Sequence, residues 1–275
     1  MSYKHPLLLK IDWKGKIGYG DVISPICYAY TVAQKNCCDV QLSFHWPHNK
    51  TFKFKEEDPE TLPQRTLFLH QIVKPILFHK VNIEHIYSSV IKYNHTNYDD
   101  KSPFHNHWFS RHRNFTSDKP FIALNTTRNH AQTLEDYGGD SKTWKDPVGE
   151  VKWAQAEKII QDDWGLDVKH VDYSTPIHEA VDIYKKCLLA VGYHGSTIWI
   201  AKYLRAPMLI YSSKVQTSRS FPWATVQKKM EVTEFANLNP WQLRDRSLKR
   251  LAELDIQYEQ YLNVPNLHSL RGRKT

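Results

Sequence analysis

Cysteine is scarce in this chain: there are four, Cys27, Cys37, Cys38 and Cys187, in 275 residues. None are spaced C-x-x-C, and adjacent Cys37 and Cys38 suit neither a zinc knuckle nor a disulfide framework, so the thiols read as reduced and the protein as cytoplasmic, or in a host's cytoplasm if the chain is viral. No apolar run approaches the ~20 residues that cross a bilayer, and residues 1–6 lack the apolar stretch of a secretory leader, which points to a soluble protein without stable membrane insertion. Asn-x-Thr triplets at Asn49, Asn94, Asn114 and Asn125 are then read as chance rather than as glycan acceptors. Glycine is also sparse, ten residues in all, yet three of them fall within six positions near the start.

What the chain has in excess is positive charge, +8 formally with a pI near 9.1. Such a balance concentrates nucleic acid, anionic lipid or phosphorylated substrates near the surface, although a basic protein that is merely soluble has the same count. Denser basic groups lie at residues 111–113, 228–229, 244–250 and 271–274. With 41% hydrophobic residues the chain can bury one large core or two small ones.

The crowded glycines are Gly15, Gly18 and Gly20, followed at once by Asp21. Upstream, residues 7–11 read as a buried strand; downstream, Val22, Ile26, Ala29, Tyr30 and Ala33 keep helical spacing, and residues 40–44 form the next strand. The unit is βαβ with a glycine-rich first turn. Glycines there let main-chain N–H groups approach a ligand, and a helix start favours negative charge. The spacing is not G-x-G-x-x-G, which disfavours a nicotinamide cofactor. Asp21 as a plain helix cap fits this segment equally well.

Further along, residues 67–69 and 82–87 read as short elements around a helix at 71–79. Residues 97–119 are polar and poor in aliphatics, a linker or loop, where His105, His107 and His112 lack the acid or cysteine company of a metal site. A second half opens with the strand 120–124 and a polar loop that carries Arg128 off the strand's carboxyl end, where α/β sheets bind ligands. A helix over 151–164 has Trp153, Ala156, Ile160 and Trp164 on one apolar stripe, which is core. The strand 167–171 follows, then a helix capped by Thr175 with Pro176 in its first turn. Residues 188–193 form the strongest strand of the half. They run into His194, Gly195, Ser196 and Thr197, a helix over 198–204 and a strand over 206–211. Residues 240–262 read as a long amphipathic helix whose apolar set includes Trp241, Leu243, Leu248, Leu251 and Leu254.

The segment Gly18-Tyr-Gly-Asp-Val-Ile-Ser-Pro25, paired with Ala190-Val-Gly-Tyr-His-Gly-Ser-Thr-Ile-Trp-Ile-Ala201 and Leu204-Arg-Ala-Pro207, resembles the ADP-heptose heptosyltransferase group of GT-B glycosyltransferases. Lys142-Thr-Trp144 and Trp153 resemble that family's lysine-tryptophan pair and following helix. The resemblance implies an α/β, GT-B-like fold in which two Rossmann-like domains face a central cleft. The division is an acceptor domain over 1–117, a nucleotide-sugar domain over 118–239, and a C-terminal helix crossing back with a basic tail over 240–275. It further implies Asp21 as general base on the acceptor hydroxyl, and His194, Gly195, Ser196 and Thr197 at a helix start as the donor diphosphate site, assisted by Arg128 and Lys142. Lys145 and Lys152 compete with Lys142 for its role, and Arg128 reads equally as a surface arginine.

Where the family carries an acidic residue before the late glycine, this chain has Tyr193 and His194, so the donor is left as a nucleoside diphosphate sugar rather than ADP-heptose. No Asp-x-Asp triplet occurs, so a divalent-metal diphosphate clamp has no candidate, no metal or other cofactor is expected, and basic residues must supply the counter-charge. The positive balance favours a hydroxymethylated base in duplex DNA as acceptor, a role similar to that of bacteriophage enzymes that glycosylate hydroxymethylated pyrimidines. A cell-envelope or capsular glycan is the acceptor that the heptosyltransferase likeness itself implies. A non-catalytic nucleic-acid-binding protein on the same scaffold is a third reading. Nothing in the sequence marks an oligomeric state.

Overall fold

A computed structural model describes residues 8–13, 29, 33, 39–47, 81–88, 117–126, 148–172, 175–194, 196–212 and 217–263. Among these residues it is a mixed α/β structure with two parallel sheets. The first contains β1 (Leu8–Trp13), β2 (Asp39–Pro47) and β3 (Val81–Ser88), side by side in that order. Leu8 is in register with Asp39 and Val40 with Val81, and both pairings are parallel. Parallel neighbours require a crossover, and within the first one Ala29 and Ala33 are helical and fully buried one turn apart. The βαβ reading of this region therefore holds, with each strand a few residues longer than its apolar centre.

The second sheet has five strands: β4 (Phe121–Asn125), β5 (Asp167–His170), β6 (Leu189–Tyr193), β7 (Met208–Tyr211) and β8 (Thr225–Gln227). Their order is β5-β4-β6-β7-β8, every neighbouring pair parallel. Between the strands run α1 (Glu150–Asp162), α2 (Ile177–Lys186), α3 (Ser196–Tyr203) and the short α4 (Thr217–Ser220); α5 (Val232–Ala236) and α6 (Pro240–Asn263) follow β8.

Strands β4, β6 and β7 are buried along their whole length, as expected of parallel strands covered by helices on both faces. Phe121, Ala123, Ala190, Met208 and Ile210 share one apolar cluster with Ala180 and Tyr184 of α2 and Ile198 and Ala201 of α3. Ile122, Leu124, Leu189, Val191 and Leu209 share the other with Trp153, Ala156 and Ile160 of α1, Phe235 of α5 and Leu243 of α6. The α1 stripe is core at Trp153, Ala156 and Ile160, whereas Trp164 lies past the end of the helix and is only partly buried. Ala29, Ala33, Val40, Leu42 and Phe44 belong to the first cluster, together with Leu251 and Leu254 of α6.

Local chemistry moves some boundaries. Thr175 does not cap α2: it exchanges bonds with Asp172, the Asp172 N–H donating to Thr175 Oγ1 at 3.0 Å and the Thr175 N–H to Asp172 Oδ1 at 3.1 Å. The N-cap position falls to Pro176, whose ring carries no group that could accept a hydrogen bond from the helix start. Trp241 lies off the packed face of α6, at 47% exposure. Asn125 is buried and its Nδ2 donates to Val171 O at 2.9 Å, so in the folded chain this amide is no glycan acceptor.

Helix α3 ends in a Schellman motif: the Arg205 N–H donates to Lys202 O at 2.9 Å and the Ala206 N–H to Ala201 O at 3.0 Å. Arg205 holds the left-handed position at φ 59°, which costs a side-chain-bearing residue about 1–2 kcal/mol. Its guanidinium reaches Asp255 of α6, Nη2 to Oδ2 at 2.5 Å. Because Asp255 is half-exposed, Asp255→Ala is expected to lower stability by only about 0.5 kcal/mol. In urea titrations that difference should shrink as salt is raised to about 1 M, where the screening length is about 3 Å.

Cys187, between α2 and β6, is fully buried, and burial pushes its thiol up from 9.0 to about 12. A folded-state value above the unfolded one means that the unfolded chain loses the proton first. The stability this thiol contributes is thus complete below pH 9 and is lost as pH rises towards about 12. The stability of wild type, read from urea midpoints, should fall relative to that of Cys187→Ala over that window, by at most about 1.4 kcal/mol per pH unit. Native protein at pH 8 should leave Cys187 unlabelled by iodoacetamide in peptide mass mapping.

Candidate functional site

The strand order fixes where the second sheet is open to a ligand. From β4 the chain passes to β5 on one side of it, and from β6 to β7 on the opposite side, so the carboxyl ends of β4 and β6 border a topological switch point. At such a point the two following connections diverge and leave a crevice.

Asn125 ends β4, and its register partner on β6 is Gly192. The approach is close: a Cβ on Gly192 would lie 2.6 Å from Asn125 Cβ and 2.7 Å from the Asn125 carbonyl oxygen. Only glycine fits between these strands. The Asn125 side chain in turn holds the exit of β5, through its bond to Val171 O, while the Val171 N–H donates to Leu124 O at 3.0 Å. The floor of the crevice is therefore three strand ends tied laterally.

One residue beyond β6, the His194 N–H donates to Tyr211 O at 3.3 Å, which ties the start of the turn to β7. The imidazole stands edge-on to Phe221, ring centroids 5.5 Å apart at 88°, and lies 6.0 Å from Trp199. Both of its nitrogens are shielded from solvent. Trp199 and Phe221 touch each other at 4.9 Å. Beneath them is Lys202, with 0% exposure, its Nζ 4.5 Å from the Trp199 ring centroid, 5.4 Å from Phe221 and 5.6 Å from Tyr203. Lysine is seldom fully buried, and here three aromatic rings lie close to its ammonium. Helix α3 begins with Ser196 and Thr197, which puts a positive dipole end at the crevice.

On the α1 side of the sheet, Tyr211 lies edge-on to Trp153 at 5.9 Å and 84°. Burial, then the negative charge of Glu234, push the Tyr211 hydroxyl above its ordinary range, so it stays protonated. Lys152 does not reach the crevice: its Nζ donates to Met230 O at 2.7 Å and lies 3.4 Å from Glu231 Oε2, linking α1 to the start of α5.

Of the residues singled out from sequence, His194 is at the switch point and Ser196 and Thr197 open α3 beside it. Asp21, Gly15, Gly18, Gly20, Arg128, Lys142 and Gly195 lie outside the described residues. Three features escaped the sequence reading. Gly192 had a signal, a glycine inside an otherwise apolar strand. Asn125 was read as the start of the polar loop after strand 120–124 and as part of a chance triplet, not as a buried tie between strand ends, and Lys202 sits in Ile-Ala-Lys-Tyr-Leu with nothing to set it apart from a surface lysine.

No protein-family model matches the sequence, and no curated protein matches it. Among solved structures, the chain is similar to the dodecameric iron-containing glycosyltransferase TibC of enterotoxigenic E. coli H10407. The TM-score is 0.43 at 10% identity, over 92% of this chain and 78% of that one. It is also similar to TibC, described as a dodecameric iron-containing heptosyltransferase, in complex with ADP-D-beta-D-heptose. There the TM-score is 0.40 at 10% identity, over 90% of this chain and 76% of that one.

Proposed function

We propose that this chain is a nucleotide-sugar-dependent glycosyltransferase of GT-B architecture, working by single displacement without a metal, in the cytoplasm. The observation that carries the reading is the switch point between β4 and β6, with the His194 turn and the start of α3 on its rim. The sequence resemblance of the segments around Asp21 and His194 to the heptosyltransferase group supports it independently.

The chemistry assigns each residue a part. Asp21 takes the proton of the acceptor hydroxyl as its oxygen attacks the anomeric carbon. The bond from that carbon to the donor's diphosphate breaks on the opposite face, and the electron pair leaves with the phosphate oxygen. Charge growing there is met by main-chain N–H groups of Gly195, Ser196 and Thr197 at the α3 start, and by Arg128 and Lys142. His194, its own N–H committed to Tyr211, anchors the turn. Gly15, Gly18 and Gly20 give the acceptor-side turn its close main-chain approach.

For the acceptor we propose a hydroxymethylated base in duplex DNA, supported by the +8 charge. Purified protein is incubated with a panel of nucleotide sugars and hydroxymethylated duplex, and the nucleosides are read by mass spectrometry. A hexose or pentose adduct is the expected result, and duplex affinity should fall steeply with salt. Transfer to an envelope or capsular glycan, with no DNA adduct, would keep the enzyme and replace the acceptor. DNA binding without nucleotide binding would sink the glycosyltransferase reading.

A further inference from the structure

We infer that Lys202 is a positioning residue for the β6–α3 turn, its buried ammonium clamping the two rings, Trp199 and Phe221, that seat His194. The inference rests on reading that turn as the diphosphate seat.

Three contacts carry it. Lys202 Nζ lies over Trp199 at 4.5 Å and Phe221 at 5.4 Å. His194 packs against the same two rings, at 6.0 and 5.5 Å. The His194 N–H holds the turn to β7 through Tyr211 O. Phe221 comes from the segment after α4, whereas Trp199 and Lys202 lie on α3, so the ammonium joins elements that are separate in sequence. Its side chain points back along α3 towards the helix start, the usual direction of a helical side chain. A lysine in such a place has lost its hydration, and ring faces are the one apolar surface that attracts a cation. Through these contacts the ammonium exerts a directional hold on ring orientation, and through the rings on the first residue of the turn.

The test uses the full chain with ADP and UDP as probes, and the histidine imidazole resonances of 15N-labelled protein, the His194 signal being assigned with His194→Gln. Lys202→Met keeps length and apolar volume and removes the charge. It is expected to weaken nucleotide affinity by about 10-fold under conditions where the variant is folded, and to shift the His194 resonance. Lys202→Arg keeps the cation and should restore both. A folded Lys202→Met with unchanged affinity overturns the proposal, whatever its melting temperature, because a lysine that only stabilises the core lowers stability without altering the binding of the folded fraction. Should Lys202→Met fail to fold, Phe221→Leu removes the shared ring and keeps the lysine, and the same His194 shift and affinity loss are expected. If wild type binds neither of these probes nor GDP, CDP or dTDP, the glycosyltransferase reading fails. The His194 resonance in the unliganded variants then decides the clamp by itself, an unmoved signal refuting it.

Discussion

Gly192→Ala is expected to destabilise the protein by about 3 kcal/mol, the upper part of the range for overpacking a dense core, and to abolish nucleotide binding with it. The added methyl would sit 2.6 Å from Asn125 Cβ and 2.7 Å from the Asn125 carbonyl oxygen. Carbon atoms not bonded to each other are at ease at about 3.5–4.0 Å. Neither obstructing atom is the far end of a flexible side chain: one is main chain and the other is fixed directly to it. Relief must come from separating β4 and β6, and these strands are in register from Ile122–Leu189 to Asn125–Gly192 and buried on both faces. Moving Asn125 also loosens its amide's hold on Val171 and hence the exit of β5. The damage is thus focused on the crevice floor. Urea unfolding should show a lower midpoint with an unchanged slope. A variant within 1 kcal/mol of wild type would mean that the strand ends yield easily, and that the switch point is not the rigid base described above.

Strands with dense apolar sequence were legible: Phe121–Asn125 and Leu189–Tyr193 were found within a residue or two, because a parallel strand buried on both faces must be apolar at every position. The α1 stripe was legible for the complementary reason, a helix packed on one face only. What escaped was too short to show a period. Thr225–Gln227 has three half-buried residues, and Thr217–Ser220 and Val232–Ala236 span four and five. Thr225–Gln227 is held by its pairing with β7, and Val232–Ala236 by neighbours distant in sequence, as when Phe235 stacks on Trp164 with ring centroids 4.8 Å apart.

The candidate site was legible in its turns and opaque in its supports. A polar run between an apolar strand and a helix marks a ligand-facing turn by composition, which brought His194, Ser196 and Thr197 forward. The burial of Lys202 depends on Phe221 arriving from the far side of β7, and no local pattern announces that. The tie made by Asn125 went unseen because nothing in its triplet, set aside as chance, tells a loop residue from a buried amide at a strand end. Trp241 was assigned to the apolar face of α6 on hydropathy alone, although helix geometry leaves it outside the stripe that Leu243, Leu251 and Leu254 define.

Asp21→Asn is expected to reduce turnover by about 10³-fold, within the 10²–10⁴ that a positioned general base supplies, while nucleotide affinity stays within about two-fold. The carboxylate is assigned to the acceptor side and makes no demand on the donor, so only the chemical step should suffer. Asparagine is the informative replacement because it separates the two readings that the glycine-rich turn left open. It caps a helix about as well as aspartate, so a residue whose sole duty is capping tolerates the change with stability and turnover intact. It cannot take a proton, so a base does not. Unchanged turnover would assign Asp21 to the cap and send the search for the base elsewhere on the acceptor side. A 10³-fold loss of turnover with an unshifted urea midpoint would assign it to the chemistry. Paired measurements of urea stability and ADP or UDP affinity on the same preparation keep a folding defect from passing as a catalytic one, since a misfolded variant loses all three quantities together and a missing base removes one.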